Sequence, residues 1–284
     1  LETEFNAYFS SIYGTRWTAL LEALRKEEEQ ICYSPFSKTP LKSYLKIPKD
    51  YFFGDKQAAL EREPAGHLRN YILDPSSLAP VCELEVQPQD RVLDLCAAPG
   101  GKSLALLSQL GEGGALMAND SSKARFERLR KVLFQYTPSD HPALRQVVCK
   151  DGTRFGFFHK GEFSKILVDA PCSSERHHLF QGKEKEWKEK RARFLAVKQY
   201  TLLCAALLCA AEGARLVYST CSINPVENDG VVKKFLKKKG ERLKWRPSQN
   251  LLEGEEETEF GKMILPDRSG FGPIYRACFE VISP

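Results

Sequence analysis

Along the first thirty residues apolar side chains fall at Phe5, Tyr8, Phe9 and Ile12, then at Trp17, Leu20, Leu21 and Leu24. This spacing is helical, broken once at Gly14, and it predicts two helices, the first closed by Gly14 and the second capped by Thr15. From Ser34 to Pro64 prolines, lysines and aromatics mix without a sustained period. That stretch is expected to pack as irregular structure against the main body, as a lid or brace more than a domain. From Arg91 the pattern changes. Short β-rich runs at 92–95, 115–118, 146–148, 166–168 and 216–218 alternate with helical periods at 102–110, 122–137, 194–211 and 225–239. Such alternation means a parallel, doubly wound α/β sheet, because parallel neighbours are reached through crossover helices. A last apolar run, 275–282, follows the turn Gly270 to Pro273 and suits an antiparallel strand at the sheet edge.

Composition removes several classes. With 42% hydrophobic and 28% charged residues the 284-residue chain is neither disordered nor collagenous. No apolar run reaches the roughly 18 residues of a membrane span; the longest, Leu202 to Ala211, is expected as a buried helix, so a soluble protein with no membrane partner is expected. Lys and Arg number 42 against 37 Asp and Glu, a net charge of +5 that permits a polyanionic partner without demanding one. Nine cysteines, an odd number with no CxxC, argue against a disulfide scaffold or a structural zinc and for a reducing compartment. No metal is expected.

The candidate chemistry sits where the strands end. The first runs into Asp94-Leu95-Cys96-Ala97-Ala98-Pro99-Gly100-Gly101-Lys102, and in a doubly wound sheet this turn is the ligand crevice. A nucleotide-like ligand is expected, although neither GxGxxG nor GxxxxGK[ST] is present and Gly101-Lys102-Ser103 only imitates the end of the latter. The second strand ends in Asn119-Asp120, suited to a ribose diol or to a helix cap. The third ends in Asp151-Gly152, suited to the amine of an adenine or to a surface turn. The fourth ends in Asp169-Ala170-Pro171-Cys172 and the fifth in Ser219-Thr220-Cys221-Ser222. One cysteine at a strand end is usually core, but two on successive strands are a reactive constellation. Asn224-Pro225-Val226-Glu227 reads as a helix start whose positive end would face Cys221 and favour its thiolate. Cys204 and Cys209 read as core, and Cys32, Cys82, Cys149 and Cys278 as structural.

The three strand-end motifs, Asp94 to Lys102, Asp169 to Ser173 and Tyr218 to Ser222 followed by Glu227-Asn228, resemble the signatures of the Nop/Sun family of RNA cytosine-5 methyltransferases from roughly Arg69 to the end. The resemblance implies a Rossmann-like class I methyltransferase fold, a mixed seven-stranded sheet with helices on both faces. It divides the chain into a small N-terminal helical extension, 1–66, with an RNA-binding or bracing role, and a methyltransferase domain, 67–284. The N-terminal aromatic helices and Ser173-Ser174-Glu175-Arg176-His177 look most like the compact branch that includes the mitochondrial ribosomal-RNA enzymes; many bacterial relatives continue with Gly after the Cys-Ser. S-adenosylmethionine is the implied cofactor, with Cys96, Ala97, Ala98, Pro99, Gly100, Gly101 and Lys102 around its methionine part. Asp120 is implied at the ribose, supported by Arg125, and Asp151 with Gly152 near the adenine. Asp169 would stand between cofactor and base and would hold or share a proton, Cys221 would be the nucleophile, and Cys172 would assist product release.

An RNA partner calls for phosphate contacts from lysine and arginine. The candidates are Lys183, Lys185, Lys188, Lys190, Arg191 and Arg193 with Trp187 interleaved, and Lys233, Lys234 and Lys237 to Lys239; alternating Lys and Glu reads equally well as a solvated helix face. The acidic 253–259 loop is expected to face away from RNA. His177 and His178 are candidates for the base pocket or its polar rim. Ribosomal RNA is favoured over transfer RNA, on a monomer that a protein partner supplies with RNA. The expected location is intracellular, the cytoplasm ahead of the mitochondrial matrix. A noncatalytic RNA-binding assembly factor on the same fold is the alternative.

Overall fold

Thr3 opens the chain's first helix, its hydroxyl accepting the Asn6 amide at 3.3 Å, and α1 (Glu4–Tyr13) closes at Gly14, whose φ is 55°. The second helix starts later than expected. Gly14–Arg16 forms a 3₁₀ turn closed by the Trp17 amide on the Gly14 carbonyl, so Thr15 lies inside this turn and α2 (Trp17–Arg25) has no side-chain cap. The computed structural model describes residues 3–27, 30–36, 53–54, 61–64 and 66–283. β1 (Ile31–Tyr33) pairs antiparallel with both β2 (Phe53–Gly54) and β3 (Tyr71–Leu73). One strand thus comes from the stretch expected to be irregular, most of which lies outside the described residues.

After α3 (Ala79–Glu83) the alternation follows: β4 (Arg91–Asp94), α4 (Gly101–Leu107), β5 (Ala115–Asn119), α5 (Lys123–Tyr136), β6 (Leu144–Val148) and β7 (Phe163–Asp169). Then come α6 (Glu175–Phe180), α7 (Glu189–Cys209), β8 (Ala210–Thr220), α8 (Asp229–Lys239), β9 (Leu243–Arg246), β10 (Glu256–Glu257), β11 (Lys262–Ile264), α9 (Pro266–Ser269) and β12 (Ile274–Val281). The main sheet runs β10-β11-β12-β8-β7-β4-β5-β6, with β9 also on β12. β4 to β8 are mutually parallel and β12 is antiparallel to β8, the mixed α/β sheet expected. It has nine strands where seven were expected, the surplus being short pieces at the β12 side. β12 is not at the edge: β8 flanks one side, β9 and β11 the other, which suits a strand apolar on both faces. The chain leaves β4 toward β5 and β6, then returns to place β7 and β8 on its other side. That reversal opens a crevice at the carboxyl ends of β4 and β7.

Alternate side chains feed the two faces. Leu93, Ile166, Val168, Leu216 and Tyr218 pack toward α1, α2, α7 and α8, while Val92, Leu167 and Val217 pack toward α3, α4 and α5. The N-terminal helices share the first of these cores rather than forming a body of their own. Phe5 and Phe9 stand 5.7 and 5.1 Å, ring to ring, from Trp187. Trp187 is 1% exposed, which overturns its place as an aromatic interleaved with RNA-facing lysines: the segment before α7 turns it inward to hold α1. α7 is also longer than expected, and by length and composition it is apolar enough to cross a membrane, contrary to the expectation that no run would be; 44% of that stretch is buried inside the molecule. Trp187→Ala should destabilise the protein by about 3–5 kcal/mol. Denaturant unfolding would measure the loss, and amide exchange should show α1 opening before the sheet.

Candidate active site

The loop after β4 is built from below. Ser103 Oγ donates to the buried Asp94 Oδ2 at 2.6 Å, tying the strand end to the first turn of α4, and burial holds the Asp94 carboxyl up at about 7. Gly100 takes φ 120°, where a Cβ would meet Val132 Cγ1 at 3.0 Å; a Cβ on Gly101 would lie 2.7 Å from Tyr71 Cε1. The first backbone conformation is strained for any other residue, and at the second the Tyr71 ring would have to give way. The Ala97 amide donates to the Asn119 carbonyl at 2.7 Å. Ala97, Gly100 and Gly101 therefore shape the loop, while Cys96, Ala98, Pro99 and Lys102 line the cavities beside it.

Two cavities adjoin it. The smaller, about 190 Å³, is walled by Cys96, Asp120, Arg125, Asp151, Gly152 and Lys198. Arg125 Nε lies 3.2 Å from Asp120 Oδ2 and its Nη2 donates to the Ala98 carbonyl at 2.7 Å, joining the strand ends of β4 and β5. Asp151 also performs the local turn task that was its alternative, its Oδ1 accepting the Thr153 amide at 3.0 Å. Asp120 does not cap α5, whose N-cap is Ser122 without a side-chain bond; Asp120 Oδ1 accepts the Ser122 amide at 3.0 Å just before the helix. The larger cavity, about 560 Å³, shares Arg125 and Pro171 with the first and is walled by Ala98, Pro99, Lys102, Asp169, Cys172 and Cys221 among others. His177 is in this wall and His178 is not.

Within the larger cavity Lys102 Nζ lies 2.9 Å from Asp169 Oδ2. Burial opposes the lysine's charge, but Asp169 outweighs it and the ammonium is held above its ordinary pKa. The pairing was not foreseen, since its members sit on different strand ends and Lys102 read only as part of a loop. The two thiols stand 3.1 Å apart, sulfur to sulfur. The hydrogen bond from Cys172, aided by one from Ser174, lowers the Cys221 pKa against the effect of burial. The same bond, with burial and repulsion from Cys221 and Glu227, drives Cys172 well above the ordinary thiol range. Cys221 is thus the more acidic of the two sulfurs, and Cys172 is placed to donate to its thiolate.

Ser174 was passed over in the sequence. Its φ of 51° is left-handed, where glycine sits without steric cost, and it places Oγ 3.4 Å from the Cys221 sulfur and 3.5 Å from that of Cys172. The signal available was a second small polar residue directly after Cys172-Ser173. The helix dipole invoked for Cys221 is not there. Asn224 caps only a turn, accepting the Val226 amide at 3.1 Å, and α8 begins at Asp229, because Glu227 turns inward instead of closing a capping box.

The family model described as 16S rRNA methyltransferase RsmB/F matches residues 81–280. The chain belongs to this family. Among its relatives, the 5-cytosine rRNA methyltransferase NSUN4 of Bos taurus is 35% identical over 227 residues, covering 74% of this chain and 59% of that protein. The mitochondrial tRNA (cytosine(34)-C(5))-methyltransferase of Danio rerio is 41% identical over 169 residues, covering 58% of this chain and 46% of that one. The chain spans about half the length of the curated relatives it matches. In fold it is similar to a Pyrococcus horikoshii structure described as NSun6 with SFG, at TM-score 0.78 and 19% identity, covering 100% of this chain and 99% of that one. The resemblance of the strand-end motifs to the Nop/Sun family and its methyltransferase fold are thereby borne out. In this family member, alkylation of Cys221 by iodoacetamide should titrate below the ordinary thiol range. Cys172→Ala should move the midpoint up, each pH unit slowing alkylation at lower pH by about tenfold; peptide mass spectrometry across a pH series reads both.

Proposed function

We propose that the chain catalyses S-adenosylmethionine-dependent methylation of cytosine C5 in structured RNA. The observation that carries this reading is the contact of the Cys172 and Cys221 sulfurs beside Lys102 and Asp169 in one cavity. The smaller cavity fits the cofactor by its donor set: carboxylates at Asp120 and Asp151 suit a ribose diol and an adenine amine, and Arg125 links Asp120 to the loop of Ala98. Cys96 to Lys102 would flank the methionine part. When bound, the cofactor supplies an electrophilic sulfonium methyl group.

Carbon 5 of cytosine is a weak nucleophile. In this reading the Cys221 thiolate adds to C6, forming an S–C bond and pushing electron density to C5, which then accepts the methyl group. Asp169, ion-paired with the Lys102 ammonium at 2.9 Å, would accept a hydrogen bond from the exocyclic amine of the base and orient the ring, while the Lys102 ammonium offsets the negative charge developing on it. Once Cys221 has become a thioether, its negative charge no longer holds the Cys172 proton, which passes to solvent. Cys172 can then take the C5 proton; the C5–H pair of electrons rebuilds the C5–C6 double bond, and Cys221 leaves as thiolate with the Cys172 thiol again donating to it. The base must leave its stack to reach this cavity.

Residues 67–284 are assigned as the methyltransferase domain and 1–66 as a brace, supported by the burial of α1 and α2 against the sheet. For phosphate contacts the exposed Lys183, Lys185, Lys190 and Arg191 are favoured. Lys188 and Arg193 are already engaged by Glu4 at 2.7 Å and by Glu189 at 2.8 Å. The α8 group is weaker, because Lys233 lies 3.0 Å from Glu259 of the acidic loop expected to face away from RNA. Ribosomal RNA is favoured over transfer RNA by the family description and the NSUN4 relatives, with delivery by a protein partner and a monomeric catalytic chain as parts of the proposal. The relatives do not support the preference for the cytoplasm; the mitochondrial relative favours the matrix.

Incubation with labelled S-adenosylmethionine and separate ribosomal and transfer RNA fractions, followed by denaturing gels, tests this reading. Cys172→Ala should accumulate a covalent RNA adduct, Cys221→Ala should form none, and label should enter ribosomal RNA. Label without any dependence on Cys221 would overturn the mechanism, and no label in any RNA would favour a noncatalytic scaffold.

A further inference from the structure

Beneath the two thiols lie two glutamates, each 0% exposed, each belonging to one cysteine loop and bonded to the other. Glu175, on the Cys172 side, accepts the Ile223 amide on Oε2 and the Ser222 hydroxyl on Oε1, both at 3.1 Å. Glu227, on the Cys221 side, accepts the Ser173 amide on Oε2 at 3.0 Å and contacts the Ser173 and Ser222 hydroxyls through Oε1. Ser173 Oγ also contacts Glu175 Oε1. Gln199 closes the floor, its Nε2 donating to Glu227 Oε2 at 2.8 Å and to the Pro171 carbonyl at 3.0 Å.

The contacts can be balanced by counting protons. Two hydroxyls make four contacts with the two Oε1 atoms, and each hydroxyl has one proton to give. Among the described residues no Lys, Arg or His lies within ion-pair distance of either carboxylate. Two buried, adjacent carboxylates without a cation do not both stay ionised. A proton retained on one of them supplies a further donor.

We propose that Glu175 and Glu227 are positioning residues, a carboxyl–carboxylate pair holding one proton whose reciprocal bonds clasp the two cysteine loops and set the Cys172–Cys221 contact on which the proposed catalysis depends. The clasp explains why Ser173 and Ser222 follow the two cysteines: each hydroxyl reaches both glutamates at once. Burial, and for Glu227 the neighbouring Glu175, lift both carboxyls, Glu227 to about 7. The other titratable groups facing the pair are Cys172 and Cys221 on the loops, Tyr8 and Tyr13 of α1, and Tyr218 of β8; burial raises all three tyrosines, so they stay neutral where the pair titrates.

The role of the pair in catalysis rests on the methyltransferase reading; the clasp itself does not, and the test separates them. Cys221 alkylation across pH is followed in the whole chain without RNA or cofactor, alongside single-turnover methyl transfer. Glu227→Ala should free Cys172 from its place and raise the Cys221 midpoint by about one unit, a roughly tenfold slower alkylation at neutral pH. Glu227→Gln, whose amide replaces the shared proton, should move the midpoint back toward the wild type. In methyl transfer Glu227→Ala should lower kcat with little change in the KM for RNA. A wild-type midpoint in folded Glu227→Ala, or a Gln variant as displaced as the Ala variant, would overturn the clasp. Should Glu227→Ala not fold, Glu227→Gln and Glu175→Gln decide alone, since a requirement for the carboxylate charge would displace both. Wild-type protein that methylates no RNA, while its alkylation follows these shifts, would remove the enzymatic reading and leave the clasp standing.

Discussion

A thiolate next to carboxylates is an unfavourable object, and the hydrogen bond from Cys172 to Cys221 is what makes it tenable. Asp169 and Glu175 both press the Cys221 pKa upward, as does burial, yet the donor thiol 3.1 Å away and the Ser174 hydroxyl reverse the sum. Much else in the site follows from keeping that bond in place. The sulfurs come from the ends of β7 and β8, adjacent parallel strands in register through Asp169 opposite Ser219, so the backbone separation is set by the sheet. Ser174 accepts a left-handed backbone to bring its hydroxyl between the sulfurs, and strain of that kind at a non-glycine residue marks a reactive site more than a turn.

The fold supplies this arrangement through its crossover order. Because β4 sits between β5 and β7, the loops after β4, β5 and β7 open into a common crevice; the small residues of the first leave room, and the acidic ends of the others line it. On the opposite side of the thiols, α1 and α7 close the floor: Tyr8 and Tyr13 hydroxyls bond Asn224 and the Ile223 carbonyl at 3.1 and 2.6 Å. α1 is thus tied to the Cys221 loop as well as filling the core. Trp187 sits where both jobs meet, packed on Phe5 and Tyr8.

The parts legible in the sequence were those with a local pattern. Parallel strands buried on both faces write continuous apolar runs, so β4, β5, β7 and β8 and their chemical ends could be read directly, and the motif resemblance named the family. What escaped were pairings across the fold. Lys102 and Asp169 meet only once β4 and β7 are neighbours. Glu227 fits a capping box, and nothing in Asn-Pro-Val-Glu reveals that two serines and Glu175 will draw it inward. Trp187 was hidden by its charged flanks: in a short segment before a helix no periodicity tells which way one side chain turns. The run 275–282 carries no local mark of its place inside the sheet: β9 and β11 come before it in sequence and still add beyond it.

In the proposed reaction Cys221, not Cys172, attacks the base. Incubating the unaltered protein and S-adenosylmethionine with RNA bearing 5-fluorocytosine, which blocks the final proton removal, should trap the methylated adduct. Digestion and mass spectrometry then locate it. The nucleotide is expected on the peptide containing Cys221, with Cys172 free. An adduct on Cys172 would contradict it.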